Sequence, residues 1–78
     1  MQLLLNLRNK QEVERVTIGE NIRRIRKQKG LMQEYVAQKA EVTQSMLCQI
    51  EKGNKNPSIQ TGKAIADILG CTLDELLE

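Results

Sequence analysis

A chain of 78 residues permits one small domain with a modest core. Phe and Trp are absent and Tyr35 is the only aromatic residue, so that core must be aliphatic. There is no histidine, no phosphate-cradling glycine loop and no evident carboxylate pair, which argues against an enzyme, while a formal charge of +2 says little by itself about partners.

Residues 1–17 read as an N-terminal arm. Leu3, Leu5 and Leu7 alternate with Gln2, Leu4, Asn6 and Arg8, a weak strand periodicity. Lys10 to Val16 is charged and has some helical character, and the plain alternative for the whole stretch is a loose arm. Asn6 and Arg8 interrupt the leucines, so neither a signal peptide nor a membrane span is expected, and a cytoplasmic protein is.

Thr17-Ile18-Gly19-Glu20 fits a capping box and opens the first helix. Ile22 and Ile25 recur on one face of it, and Gly30 ends it. Arg23, Arg24, Lys27 and Lys29 read mostly as a solvated face, with some of them in reach of phosphate. The stretch Gly30 to Ala40 reads as a second short helix, with Val36, Ala37 and Ala40 inward and Leu31 packing at its entry. The link Glu41-Val42-Thr43 has room only for a tight turn.

A third helix runs from Thr43, a hydroxyl N-cap, to Gly53, a left-handed terminator. Leu47 and Ile50, with Met46 beside them, pin it to the core. Its opposite face carries Gln44, Ser45, Cys48, Gln49 and Lys52. Two short helices joined by a tight turn make a helix-turn-helix, whose second helix reads DNA. A glutamine amide matches the N6/N7 edge of adenine in the major groove. The plain alternative is a polar face wetted by water.

Asn54-Lys55-Asn56-Pro57 is then a polar turn, and Ser58 caps a fourth helix with Ile59, Ile65, Ala66 and Leu69 toward the core. Gly70 stops it. Thr72-Leu73-Asp74-Glu75 is a second capping box, opening a terminal helix that carries Leu73, Leu76 and Leu77. Charge is divided along this order. Residues 18–56 carry eight Lys/Arg against four Asp/Glu, a net of +4, whereas residues 57–78 carry Lys63 against Asp67, Asp74, Glu75 and Glu78, a net of −3. One basic side facing phosphate would account for that division.

The pattern Ile18-Gly19-Glu20, Ile22-Arg23, Ile25-Arg26, Lys29-Gly30-Leu31, Gln33-Glu34, Val36-Ala37, followed by Ile50-Glu51-Lys52-Gly53 and Asn56-Pro57-Ser58-Ile59, resembles the Cro/phage-repressor (XRE) helix-turn-helix family over residues 18–77. The resemblance implies an all-α, five-helix lambda-repressor-like DNA-binding domain over residues 18–78. It implies base readout by Gln44, Ser45 and Gln49, with Cys48 and Lys52 at the groove rim. It implies phosphate contacts from Gln33, Arg26, Thr43, Lys55 and Asn56. Arg26 is also expected to pair with Glu51, tying the first helix to the end of the third.

Three departures from the family pattern bear on stability. Met32 replaces the usual hydroxyl or amide cap of the second helix, removing an acceptor worth about 1 kcal/mol. Glu41 stands where the turn usually has Gly, at a left-handed position costing roughly 1 kcal/mol. Gly62 replaces a usual Leu inside the fourth helix, predicting a hole near Ile25 and Ile65.

Two cysteines 23 positions apart, with no histidine, do not compose a zinc site. Cys71 reads as a small buried hydrophobe, and Cys48 as a small groove-lining residue before a redox switch. The sequence thus predicts a sequence-specific regulator of transcription, a repressor acting by promoter occlusion with activation by touching polymerase left open, binding double-stranded DNA as a homodimer on a palindromic operator without cofactor or metal. One short helix reads too few base pairs alone. Ile68, Leu76 and Leu77 are the expected dimer contact. The alternative is an antitoxin or controller-type module that also binds a partner protein.

Overall fold

The computed structural model describes residues 17–78; the strand-like Leu3, Leu5 and Leu7 and the charged Lys10–Val16 segment lie outside the described residues. Among the described residues there are five helices and no strand: α1 (Ile18–Gln28), α2 (Gln33–Lys39), α3 (Gln44–Glu51), α4 (Ile59–Leu69) and α5 (Leu73–Leu77). No helix among them is long and apolar enough to cross a membrane.

Caps set most of the boundaries. Thr17 and Glu20 form the reciprocal box at the start of α1, and Thr72 and Glu75 repeat it at α5. The Thr43 hydroxyl accepts from the Met46 amide at 3.0 Å, and the Ser58 hydroxyl from the Thr61 amide at 3.1 Å. Met32 caps α2 without a side-chain hydrogen bond, as its thioether dictates. Gly70 ends α4 in the left-handed region at φ 77°.

The core is aliphatic throughout. Ile22 of α1, Val36 of α2, Leu47 and Ile50 of α3, Ile65 and Leu69 of α4, and Leu76 of α5 are fully buried, with Ala37 and Ala66 filling the narrow gaps. Four sequence expectations need correction here. Ile59 does not face the core: it is 73% exposed, because the apolar stripe of α4 begins one turn later at Gly62 and continues through Ile65, Ala66 and Leu69. Met46, 38% exposed, is not among the residues packed into the core, so the buried stripe of α3 is Leu47, Ile50 and Glu51. Leu76 is fully buried, so it belongs to this core and has no surface to offer a second subunit. The hole expected at Gly62 is filled by Leu73, whose Cδ1 would lie 3.1 Å from a Cβ at position 62. Any methyl there gains helix propensity but must displace Leu73.

Two residues that periodicity did not mark set the helix arrangement. Gly19 lies where α1 crosses α3, so close that a Cβ would collide with the Ile50 carbonyl. Asn21 is 4% exposed, donates from Nδ2 to the Leu76 carbonyl at 2.7 Å and accepts from Arg24 Nη2 at 3.0 Å. It satisfies a carbonyl at the end of α5 that the helix cannot pair internally.

Glu41, in the turn between α2 and α3, has φ 60°, the left-handed conformation expected of this position. Glu41→Gly should therefore stabilise the domain by about 0.5 kcal/mol, the relief of strain being partly offset by the freer unfolded chain. A thermal melt should show a midpoint a few degrees higher; a lower one would mean that the Glu41 side chain stabilises the turn.

Candidate nucleic-acid interface

Buried Leu47, Ile50 and Glu51 fix the rotation of α3 about its axis, and the opposite face is thereby turned outward. Gln44 and Ser45 are exposed in its first turn, Cys48 and Gln49 are half-buried along it, and Lys52 is exposed at its end. The first amides of α3 point out along its axis at the N-terminal end, unpaired within the helix except where Thr43 caps it. The Thr43 hydroxyl accepts there, which leaves its own proton free to donate outward.

The orientation of α3 is further held by a buried hydrogen-bond chain. Glu51 is 4% exposed and Arg26 9% exposed, and they form a two-pronged pair: Arg26 Nε to Glu51 Oε2 at 2.8 Å and Nη2 to Oε1 at 3.0 Å. The remaining Arg26 nitrogen, Nη1, donates to the Leu31 carbonyl at 2.8 Å. Each guanidinium nitrogen thus donates once inside the domain, and Arg26, 9% exposed, keeps one N–H on each Nη for the phosphate contact expected of it. A guanidinium is suited to the pair, since its planar fork matches a carboxylate.

Gln33 extends the chain outward. Its Nε2 donates to Glu51 Oε1 at 3.1 Å, and its Oε1 receives Gln44 Nε2 at 3.4 Å. The buried pair is therefore connected, through one amide on α2, to the first residue of α3. Gln44 keeps its carbonyl oxygen and one N–H for an external partner. At the other end of the face, Gln49 Oε1 accepts from Asn54 Nδ2 at 2.9 Å, so both Gln49 N–H groups remain available. Asn54 escaped the sequence reading except as a turn residue; its spacing of five from Gln49, across the helix end, carries no periodic signal.

The segment after α3 turns at Gly53, φ 86°, with its amide on the Ile50 carbonyl and the Asn54 amide on the Gln49 carbonyl. Lys55 and Asn56 follow, both exposed, and among the described residues their amides donate to no backbone carbonyl. Gln44, Ser45, Gln49, Cys48 and Lys52 thus share the outward side of α3, with Gln33 adjoining them and Lys55 and Asn56 in the turn beyond its end.

The apolar candidates lie elsewhere. Ile68 is half-buried against the core and Leu77 is 61% exposed. Cys71, between α4 and α5, is partly buried; burial pushes its thiol pKa up, Glu75 adds to this, and Lys29 opposes it. The thiol therefore stays protonated and apolar in character.

A family model described as helix-turn-helix matches residues 22–76. The chain is 37% identical over 62 residues to the immunity repressor protein of Bacillus phage phi105, covering 80% of this chain and 43% of that one. It is 41% identical over 58 residues to the HTH-type transcriptional regulator YazB of Bacillus subtilis, covering 74% and 84% respectively. Among solved structures, SinR, a master regulator for biofilm formation captured in complex with DNA, superposes with a TM-score of 0.74 at 36% identity, over 80% of this chain and all of that one. The chain spans less than half of the phage repressor's length.

Proposed function

The chain belongs to the helix-turn-helix family, and from that premise we propose that it is a transcriptional repressor that binds a palindromic operator in double-stranded DNA as a homodimer. One observation carries the reading: two glutamine amides on the outward face of α3 are each held by an internal partner while keeping free hydrogen-bonding groups. A merely wetted face has no need of such support. Preorganised amides lose little entropy on meeting a base edge, and Gln suits adenine.

In this reading Gln44, Ser45 and Gln49 face the bases, with Cys48 and Lys52 at the groove rim. Thr43, Gln33, Lys55 and Asn56 meet the sugar-phosphate backbone and set the register. Gln33 has both roles, since its amide also holds Gln44. Occlusion of a promoter is the simplest consequence of tight occupancy, and it agrees with the repressor name of the phage relative.

Gln44→Ala or Gln49→Ala should cost about 1–3 kcal/mol on the operator and relax preference at individual base pairs. Binding to random DNA should hardly change, because phosphate contacts supply it. Operator selection from a random pool, followed by titration of the variants on selected and scrambled duplexes, tests this. Equal losses on both duplexes would remove these residues from base readout.

A further inference from the structure

α1 and α3 enclose an open groove of about 650 Å³ on the side of α3 that carries Cys48 and Lys52. Its α1 wall is one helical stripe, Glu20, Arg23, Arg24 and Lys27, at the i, i+3, i+4, i+7 spacing that stacks side chains on one face. Its floor includes Arg26 and Glu51, which cancel each other. Glu20 and Arg24 keep their charges while bonded to the Thr17 amide and to Asn21, and the two offset each other. Arg23, Lys27 and Lys52 remain, all exposed, and among the described residues none of them makes a salt bridge. Arg23 and Lys27 stand at i, i+4, where like charges oppose helix formation. Three unspent cations on facing walls of one concave surface raise its affinity for an anion well above that of scattered surface lysines.

We propose that this groove holds backbone phosphate of the same duplex, just outside the base pairs read by α3, with Arg23 and Lys27 as the contacting residues of α1. The inference rests on the DNA-binding reading above. The groove adjoins that interface directly, because Gln33, Cys48 and Lys52 line both. A phosphodiester needs no deep enclosure, and an open, wet, cationic surface suits it. The face of α1 then clamps the flank of the site, adding affinity and register without adding sequence preference.

The test is a salt titration of Arg23→Gln, Lys27→Gln and the double variant on operator duplexes with long and with trimmed flanks. Both positions are exposed, so the fold should survive, and helical content measured alongside verifies it. For the double variant, the slope of log affinity against log salt on the long duplex should fall by about 1–2, as expected for one or two lost phosphates. On a trimmed duplex, wild type and variant should converge, while the base preferences of the selected operator stay unchanged. An unchanged slope on the long duplex overturns the proposal, as does an equal loss on long and trimmed duplexes. Wild-type protein that shows no preference for any selected duplex would instead overturn the DNA-reading premise, which keeps the two failures apart.

Discussion

Glu51→Ala should destabilise the domain by about 3–5 kcal/mol, because it leaves the Arg26 guanidinium buried without its counter-charge. Against a total of roughly 5–15 kcal/mol for a native domain, that is a large share, and much of the protein should be unfolded at physiological temperature. Arg26→Ala should cost a similar amount by stranding the carboxylate. The double variant Arg26→Met/Glu51→Leu is the informative one. A buried ion pair is often replaced by apolar residues of similar volume at no net loss, so the double variant should recover most of the stability of either single one. It should nevertheless bind its operator poorly. Gln33 loses the acceptor that fixes its amide at 3.1 Å, and Gln44 is then no longer held through Gln33. Denaturant melts of the wild type, Arg26→Met, Glu51→Leu and the double variant measure the coupling, and operator titrations measure the second effect. Additive losses in stability would mean that the pair does not act as a unit. Full operator affinity in the stable double variant would mean that it does not orient the reading helix.

What the sequence could and could not reveal follows the range of the interactions involved. Caps, turns and the helix-turn-helix are local: Thr17 with Glu20, Ser58 and Gly70 act within a few residues and adopt the conformations their chemistry favours, and Glu41 takes the left-handed one that the turn imposes. The buried Arg26–Glu51 pair spans 25 positions, and its legibility came from the family pattern, not from spacing. Contacts that depend on how helices pack were invisible. Asn21 reaches across 55 positions to the Leu76 carbonyl, yet in the sequence it is one polar residue preceding an isoleucine. Ile59 lies on the same helical stripe as the buried residues of α4, but it falls one turn before that stripe meets the core. The hole expected at Gly62 vanished because Leu73, from a different helix, fills it. At the candidate site the outward face of α3 was legible from amphipathicity. The support of its glutamines by Gln33 and Asn54 was not, since those bonds run between elements whose relative placement only the fold sets.

Leu77→Glu should convert the proposed dimer to monomer and abolish tight operator binding while leaving helical content intact. The argument begins with two adjacent leucines that the fold treats oppositely. Leu76 is fully buried, whereas Leu77, the last residue of α5, is 61% exposed. An exposed leucine scattered on a surface is ordinary, but α5, which carries this one, packs on α4, which carries half-buried Ile68. A dyad through these two helices makes the patch self-complementary, each residue meeting its mate or a neighbour. It would set two α3 helices facing one side of the duplex, on half-sites roughly 34 Å apart. Loss of the second half-site removes the gain from simultaneous engagement, on the order of 10²–10⁴ in apparent affinity. A carboxylate at position 77 confronts its own mate across the dyad and must be desolvated to associate, which should be sufficient to separate the subunits. Leu76→Glu is the contrasting control, since it buries a charge in the core and should lose helicity instead. Sedimentation at micromolar concentration, with titrations on palindromic and single half-site duplexes, reads out each step. A wild-type monomer that binds one half-site with full affinity would sink the dimer, and the repressor would then have to act as a single reading head.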